Sequence, residues 1–245
     1  THHQIRLHLA DIDRLRGDHE KALGSYQKLS EEGNSEKSVL QNWRLPYGLG
    51  QAAIELGDIE IGLAALQDAA TKQPENLLVL HALATACHKA DLDGKAHETA
   101  KFALKLAPQD IENILWYADF KTKSNDPEEA VKALNEALQI TPHRSELKLW
   151  LAKTYVLMDS NEEAKTTLVD LLSDSFSGSK DLQQAAYLFV HLNEFSLAAN
   201  ALEKSIHVSE QFDPTSLMDL AVIYSLLDER KRALDILNVE ESIQR

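Results

Sequence analysis

The stretch Gln139–Arg144, which reads QITPHR, places a proline between two segments that have the apolar pattern of amphipathic helices. Pro74, Pro108 and Pro142 follow one another at intervals of 34 residues, each in the same setting. Proline has no backbone N–H and its ring clashes with the preceding helical turn, so it ends a helix. A helix terminator that returns at a fixed interval predicts a repeated helical unit of constant length.

Aligning the chain on these prolines divides it into repeats. Five contiguous repeats are followed, after one extra residue, by a sixth, and a weaker repeat precedes them across a polar insertion at about 37–42. The predicted repeats are 3–36, 43–76, 77–110, 111–144, 145–178, 179–212 and 214–245. The repeats that begin at 145 and 179 lack the closing proline, so this signal does not fix the ends of their second helices.

Side-chain size depends on the place within the repeat. Apolar places recur at spacings of three, four and seven, which predicts two amphipathic helices per repeat. The eighth and twentieth places are small, which lets two helix backbones approach each other; a large side chain there costs about 1–3 kcal/mol. The eighth places are Gly50, Ala84, Ala118, Ala152, Ala186 and Ala221, and the twentieth are Gly62, Ala96, Ala130, Ala164, Ala198 and Ala233. We expect a large residue at Ala118 or Ala152 to destabilise the fold, and truncation of Lys153 or Gln183 not to.

The fifteenth place predicts the turn between the two helices, because its residues accept a left-handed or capping backbone conformation. These residues are Gly57, Asp91, Asn125, Asp159, Asn193 and Asp228.

This pattern of length, small places and closing proline resembles the tetratricopeptide repeat family, firmly over 43–245 and less firmly over 3–36. The resemblance implies an all-α fold, a right-handed superhelical solenoid of about seven stacked antiparallel helix pairs, in one domain over 1–245. One departure is that the tryptophan common at the family's fourth place is absent, and Pro46 stands there in the repeat 43–76.

The resemblance also implies that the first helices line a concave groove through defined places. The residues at these places form the candidate protein-binding set: Arg44, Tyr47, Gln51, His81, Thr85, His88, Glu112, Trp116, Asp119, Lys123, Glu146, Trp150, Lys153, Lys180, Gln183 and Tyr187. Trp116 and Trp150 share the sixth place of adjacent repeats and are expected near one another. They are either aromatic anchors for a ligand or packing between neighbouring first helices.

Composition excludes several function classes. The 245 residues are 44% hydrophobic and 26% charged, which is typical of a folded protein. With 25 Lys and Arg against 39 Asp and Glu, the formal charge of −14 argues against nucleic-acid binding. No apolar run reaches the roughly 18 residues of a membrane span, so we predict no membrane insertion within this segment.

Cys87 is the single cysteine, which excludes an intrachain disulfide and a zinc site built on several thiolates. It fits a reducing compartment such as the cytoplasm, and a periplasmic helical protein whose signal has been removed would look the same. The sequence begins THHQIR without a methionine, so we expect a piece of a longer protein.

The sequence predicts no catalytic residue, no cofactor and no metal. It has no glycine-rich phosphate loop, nucleophile elbow or metalloprotease motif. His81 and His88 are seven residues apart, too far to share one ion without a third ligand. One family subgroup holds chaperone tails with a clamp of lysines and asparagines at the fifth, sixth and ninth places, and that clamp is missing here, so chaperone-tail binding is not expected. We expect Cys87 to be a small buried hydrophobe.

The leading hypothesis is a non-enzymatic adaptor that binds a protein or peptide ligand in its groove. A second is the recruiting arm of an enzyme whose catalytic domain lies outside this chain. A third is a structural oligomer that self-associates through its terminal repeats.

Overall fold

The computed structural model describes residues 2–33, 42–175, 177–209 and 213–243. These residues form fourteen α-helices and, within those ranges, no β-strand. The helices are α1 His2–Leu15, α2 His19–Gly33, α3 Arg44–Leu56, α4 Ile59–Lys72, α5 Leu77–Lys89, α6 Asp93–Leu106, α7 Ile111–Lys123, α8 Pro127–Ile140, α9 Ser145–Leu157, α10 Asn161–Ser173, α11 Ser179–His191, α12 Phe195–Val208, α13 Pro214–Leu226 and α14 Arg230–Ile243. The all-α prediction is confirmed. Most of the predicted insertion at 37–42, and residues 210–212, lie outside the described residues.

Each helix pair is joined by a turn with a left-handed residue. The residues with positive φ are Gly17, Gly57, Asp91, Asn125, Asp159, Asn193 and Asp228, at 56–88°. In every turn the following N–H bonds the carbonyl five residues before it, for example Asp58 N to Ala53 O at 2.9 Å. This is the bond of a Schellman helix end. The prediction of turn formers at the fifteenth place is confirmed.

The recurring proline ends the second helix of its repeat. Helices α4, α6 and α8 each end two residues before it, at Lys72, Leu106 and Ile140. The residues between helix and proline leave the helical region, with φ between −140° and −129°. The next first helix begins three residues after each proline, at Leu77, Ile111 and Ser145.

At the end of α10, where the proline is missing, side-chain donors bind the last carbonyls of the helix. Helix α10 ends at Ser173, and the Lys204 ammonium donates to the carbonyls of Leu172 and Asp174 at 2.6 and 2.8 Å. The buried Ser177 hydroxyl donates to the Leu171 carbonyl at 2.7 Å. These bonds satisfy the carbonyls that a helix leaves unpaired at its C-terminus. Side-chain capping therefore accompanies the helix end that no proline marks.

The small places are contact points between backbones. A Cβ atom added to Gly50 would lie 3.0 Å from the Gly62 carbonyl oxygen and 2.6 Å from Leu66 Cγ. A Cβ atom added to Gly62 would lie 3.0 Å from the Gly50 carbonyl oxygen. The alanines at the equivalent places of the other repeats are all buried, from 0% to 5% exposed. Helix pairs therefore pack through matched small residues, as the sequence predicts.

The chain divides into two compact parts, the N-terminal half (Thr1–Phe120) and the C-terminal half (Lys121–Arg245). In the N-terminal half, the fully buried Tyr26 packs with Ala10 and Ala52. In the C-terminal half, Phe189 packs with Leu202, and both are buried. The prediction of one solenoid domain over 1–245 stays a prediction. Among the described helices, none combines the length and the apolar character needed to cross a bilayer.

Candidate functional site

The N-terminal half contains a cavity of about 420 Å³ beside its first helices. Five of the predicted groove residues line it: Tyr47, Gln51, His81, Thr85 and Trp116. Tyr47 and Gln51 are one turn apart on α3, and His81 and Thr85 occupy the same fifth and ninth places on α5. Residues four apart lie on one face of a helix, so successive first helices present equivalent faces to the cavity.

Trp116 forms one wall of the cavity. Its ring is stacked on that of His81, with the centroids 3.7 Å apart and the planes 9° from parallel, and it also stacks on Phe120 at 5.3 Å. The ring therefore packs between the first helices α5 and α7 and lines the cavity at the same time. Its position agrees with packing between neighbouring first helices, and its role as an aromatic anchor for a ligand stays a prediction.

A buried asparagine determines which ring nitrogen of neutral His81 carries the hydrogen. The Asn113 amide nitrogen donates to the carbonyls of Ala103 and Ala107 at 2.9 and 3.0 Å, which leaves its oxygen to accept from His81 Nε2 at 2.7 Å. Burial lowers the pKa of His81, and the Asn113 bond opposes this only in part. Neutral His81 thus carries its hydrogen on Nε2, and Nδ1 is an acceptor.

Three polar atoms of cavity-lining side chains are buried without a hydrogen-bond partner: Arg14 Nε, His19 Nδ1 and Gln51 Oε1. A buried polar atom without a partner costs about 1–3 kcal/mol. The sequence analysis missed Arg14 and His19. Arg14 stands at the twelfth place of the weak repeat 3–36, where the groove rule would have found it. His19 follows the turn into α2, and no sequence signal marks it.

Arg14 lies against aromatic groups. Its guanidinium carbon is 5.8 Å from the centroid of the Tyr47 ring, and Tyr47 meets Trp43 edge to face at 5.6 Å. Burial raises the pKa of Tyr47, and Arg14 opposes the rise. The α1–α2 end of the cavity therefore combines one cation with an aromatic surface.

Arg44 lies outside the lining and is bound internally. Its Nη2 pairs with Asp11 Oδ2 at 2.8 Å, and the Tyr26 hydroxyl donates to Asp11 Oδ1 at 2.7 Å. Burial, followed by the bond to Asp11, raises the pKa of Tyr26 well above its ordinary value. This network joins α1, α2 and α3.

The other predicted residues of the N-terminal half are not among those that line the cavity. They are His88, whose Nδ1 lies 2.8 Å from Asp93 Oδ1, the exposed Glu112 and the half-buried Asp119.

In the C-terminal half, two of the predicted residues on α11, Gln183 and Tyr187, bind side chains at the next first helix. Gln183 Nε2 donates to Asp213 Oδ2 at 2.7 Å and to the Ser216 hydroxyl at 2.9 Å, and the Tyr187 hydroxyl donates to Asp219 Oδ2 at 2.7 Å. The bond to Asp219 is the main cause that raises the pKa of Tyr187. Gln183 thus contacts the N-cap of α13, which argues against its predicted neutrality towards stability.

Trp150 is half-buried, with the Lys153 ammonium 5.5 Å from its ring centroid and bonded to Gln184 Oε1 at 2.9 Å. Lys123, Glu146 and Lys180 are exposed. Trp116 and Trp150 belong to different halves, so their predicted proximity stays a prediction.

Helix α13 carries an apolar stripe that the candidate set did not include. Met218, Val222 and Leu226 stand at the fifth, ninth and thirteenth places of the last repeat and are 54–60% exposed. The ninth place holds a polar residue or a tyrosine in every earlier repeat, so Val222 departs from the pattern. Leucine already stands at the fifth place in Leu115 and Leu149 and at the thirteenth in Leu157, so no sequence signal sets Met218 and Leu226 apart.

No three His, Cys, Asp or Glu side chains in the described part of the chain converge as a metal ion requires. Cys87 is buried, as predicted, and burial raises the pKa of its thiol.

Comparison with known proteins agrees with this architecture. The family model described as "Tetratricopeptide repeat" matches residues 121–177. The TPR repeat-containing protein YpiA of Bacillus subtilis is 23% identical over 85% of this chain and 48% of its own length. Tetratricopeptide repeat protein 21B of Xenopus laevis is 24% identical over 98% of this chain and 18% of its own length.

Among solved structures, the C-terminal part of a TPR repeat-containing protein from Cytophaga hutchinsonii superposes with a TM-score of 0.58 at 13% identity. The match covers 94% of this chain and 92% of that one. This chain thus has the fold of that protein and spans half or less of the curated relatives it matches. The family model thus identifies tetratricopeptide repeat sequence at residues 121–177, and the repeat length, turn geometry and paired helices show the same repeat architecture in the other described helices.

Proposed function

We propose that the chain is a non-enzymatic scaffold that binds an extended segment of a partner protein in the cavity of the N-terminal half. The observation that carries the proposal is that equivalent places on successive first helices, Tyr47, Gln51, His81 and Thr85, line one cavity. A volume of about 420 Å³ lies in the range of ligand pockets and accommodates a few side chains. Aromatic surface beside adaptable polar groups suits recognition of a peptide.

A photo-crosslinking amino acid at residue 85 tests this proposal in lysate of the native host. Thr85 lines the cavity and is half-buried, whereas the control site Lys101 is exposed on the second helix α6. We expect residue 85 to crosslink a defined partner segment, identified by mass spectrometry, that residue 101 does not reach. Equal products from both sites, or none from residue 85, would contradict a binding site at the cavity.

The partial coverage of the relatives supports a binding module within a larger protein. A recruiting arm of an enzyme is one form of such a module, and the cavity would serve it in the same way.

Self-association is a second candidate, favoured by an apolar stripe on α1. Ile5, Leu9 and Ile12 share one face of this helix and are 43–61% exposed. Light scattering over a range of concentrations separates the two candidates: a scaffold without self-association keeps a constant mass, and a self-associating chain gains mass that a Leu9→Ser substitution removes.

A further inference from the structure

The most informative group at the cavity is the cation of Arg14, which has no carboxylate partner. Among the described residues, no Asp or Glu oxygen lies within ion-pair distance of its guanidinium. Its contacts are the ring of Tyr47 and the hydroxyl of Tyr26, whose pKa it acts to lower. Nε is buried without a hydrogen bond. A half-buried guanidinium in this state favours an anion from outside the chain.

The nearby carboxylates are each bound elsewhere. Asp11 accepts from Tyr26 and Arg44, and Asp13 pairs with Lys21 at 2.9 Å. Of the described residues, Glu55 is the one carboxylate that lines the cavity, and it lies 3.4 Å from the ammonium of Lys89 on α5. Among the described residues, the Arg14 guanidinium therefore lines the cavity without a carboxylate in ion-pair contact, even though the protein as a whole is acidic.

A second unpartnered atom defines what else a ligand must supply. Gln51 Oε1 is a buried acceptor without a partner, so it requires a hydrogen-bond donor. The backbone amide of an extended segment provides such a donor, as in other peptide complexes that use main-chain bonds for affinity. A carboxylate alone offers acceptors and would leave Gln51 unsatisfied.

The remaining lining is apolar. Trp116, Leu78, Ile54 and Leu66 form a surface on which an aromatic or aliphatic side chain would bury apolar area. An occupant must then combine three groups: a carboxylate for Arg14, an N–H for Gln51 Oε1 and an apolar side chain for this wall.

We infer that the cavity binds an internal acidic–apolar peptide segment, in which an Asp or Glu side chain pairs with Arg14 and an apolar side chain packs on Trp116. His19, whose Nδ1 lines the same cavity without a partner, is a second donor for the carboxylate when that nitrogen carries a hydrogen. The inference rests on the proposed function and adds the chemical class of the ligand. It commits to a side-chain carboxylate, and peptides that end in a free carboxylate test whether a C-terminus takes the same position.

The test uses a panel of N-acetylated, C-amidated octapeptides of alanine and serine that each carry one Glu and one Phe at varied separation. Each has a counterpart with Gln in place of Glu, and a further set ends in a free carboxylate in place of the Glu side chain. Binding is measured by fluorescence polarisation on the whole chain. We expect a Glu peptide to saturate and its Gln counterpart to bind roughly tenfold or more weakly, the loss of one charge-assisted bond.

The decisive variant is Arg14→Gln, which should bind the Glu and Gln peptides equally. Arg16→Gln is the matched control: it removes the same charge from an exposed residue of the α1–α2 turn and should keep the preference. Gln51→Glu serves as a second variant if Arg14→Gln does not fold. Its new carboxylate competes for Arg14 and should abolish the preference for Glu.

Equal binding of Glu and Gln peptides by the original chain would overturn the inference, as would a Glu preference that survives Arg14→Gln or saturation only by peptides with a free terminus. A panel in which no peptide saturates would overturn it as well. The crosslink from residue 85 separates these failures from that of the proposed function. If it persists, the cavity binds a segment of another chemistry; if it is absent too, both proposals fail.

Discussion

The two halves of the molecule place the same two residue types at the same two places and use them differently. Tyr47 and Gln51 hold the fifth and ninth places on α3, whereas Gln183 and Tyr187 hold them in the reverse order on α11. In the C-terminal half, Gln183 donates to Asp213 and Tyr187 donates to Asp219, both at the next first helix. In the N-terminal half, both line a cavity and Gln51 Oε1 has no partner.

The difference shows that the place in the repeat determines where a side chain lies. The residues of the next first helix determine whether that side chain is already hydrogen-bonded within the protein. Helix α13 and its N-cap place carboxylates next to α11. In contrast, α5 places leucine, alanine and histidine side chains next to α3. Gln51 Oε1 has no internal partner, whereas Gln183 joins α11 to the N-cap of α13. We therefore expect the halves to differ in ligand binding and to resemble each other in how their helices pack.

The largest expected effect is on stability, and it concerns a buried cluster of charged residues in the C-terminal half. Lys148 is 5% exposed and lies 2.7 Å from Asp170 and 3.3 Å from Asp174, which itself contacts His143. Lys148→Ala should lower the free energy of unfolding by about 3 kcal/mol, because Asp174 is left buried with less compensation. Urea unfolding measures this, with Lys180→Ala, an exposed lysine, as the control. Equal stability of the two variants would show that the cluster does not support the fold.

The next effect should be common to both halves. Ala118 and Ala152 are fully buried at the eighth place, one in each half. Replacement of either by Leu should destabilise by about 1–3 kcal/mol through overpacking. Thermal unfolding followed by circular dichroism measures the loss, and Ala64→Leu on the exposed face of α4 is the control. A harmless Ala118→Leu or Ala152→Leu would mean that the small places are not points of close backbone approach.

A smaller effect addresses the comparison itself. Gln183→Ala should cost about 1 kcal/mol, because it removes hydrogen bonds to Asp213 and Ser216. Gln51→Ala should cost less than Gln183→Ala without a ligand, because its lost contact with Tyr47 is offset by removal of a buried acceptor that has no partner. Chemical denaturation of the two variants gives both numbers. A larger loss of unfolding free energy in Gln51→Ala than in Gln183→Ala would contradict this contrast between the halves.

The smallest effect concerns pH and His81. Burial holds the folded pKa of His81 below its ordinary value of 6.5, so the unfolded chain binds the proton more readily. Neutral His81 contributes fully to the free energy of unfolding above about pH 6.5, and this contribution is lost as the pH falls through the folded pKa. His81→Gln should weaken this acid-side decline, as measured by urea unfolding at several pH values. His8→Gln, on an exposed residue, should leave the decline unchanged; an unchanged decline in His81→Gln would contradict the assignment.

The sequence predicted those features that depend on local conformation. Turn residues such as Gly57 and Asp91 carry their left-handed preference within the residue itself, and a proline ends a helix wherever it stands. Small places such as Gly50 and Gly62 repeat because the backbone contact repeats.

For the candidate site, the sequence predicted which side chains lie on the same face, but not which of them are hydrogen-bonded within the protein. The positions of Tyr47, Gln51, His81, Thr85 and Trp116 around one cavity follow from helical spacing. The pairing state of each side chain does not, because it depends on one residue of another helix about 30 places along the chain. Gln51 and Gln183 are the same residue type with opposite states for this reason. The burial of Lys148 and the cap from Lys204 are long-range in the same way.

The most direct test is hydrogen–deuterium exchange of the whole chain with and without the partner segment that crosslinks to residue 85. The account predicts slower exchange in α3 and α5, residues 44–56 and 77–89, and unchanged exchange in α11 and α13, residues 179–191 and 214–226. Protection confined to α11 and α13, or none in α3 and α5, would contradict it.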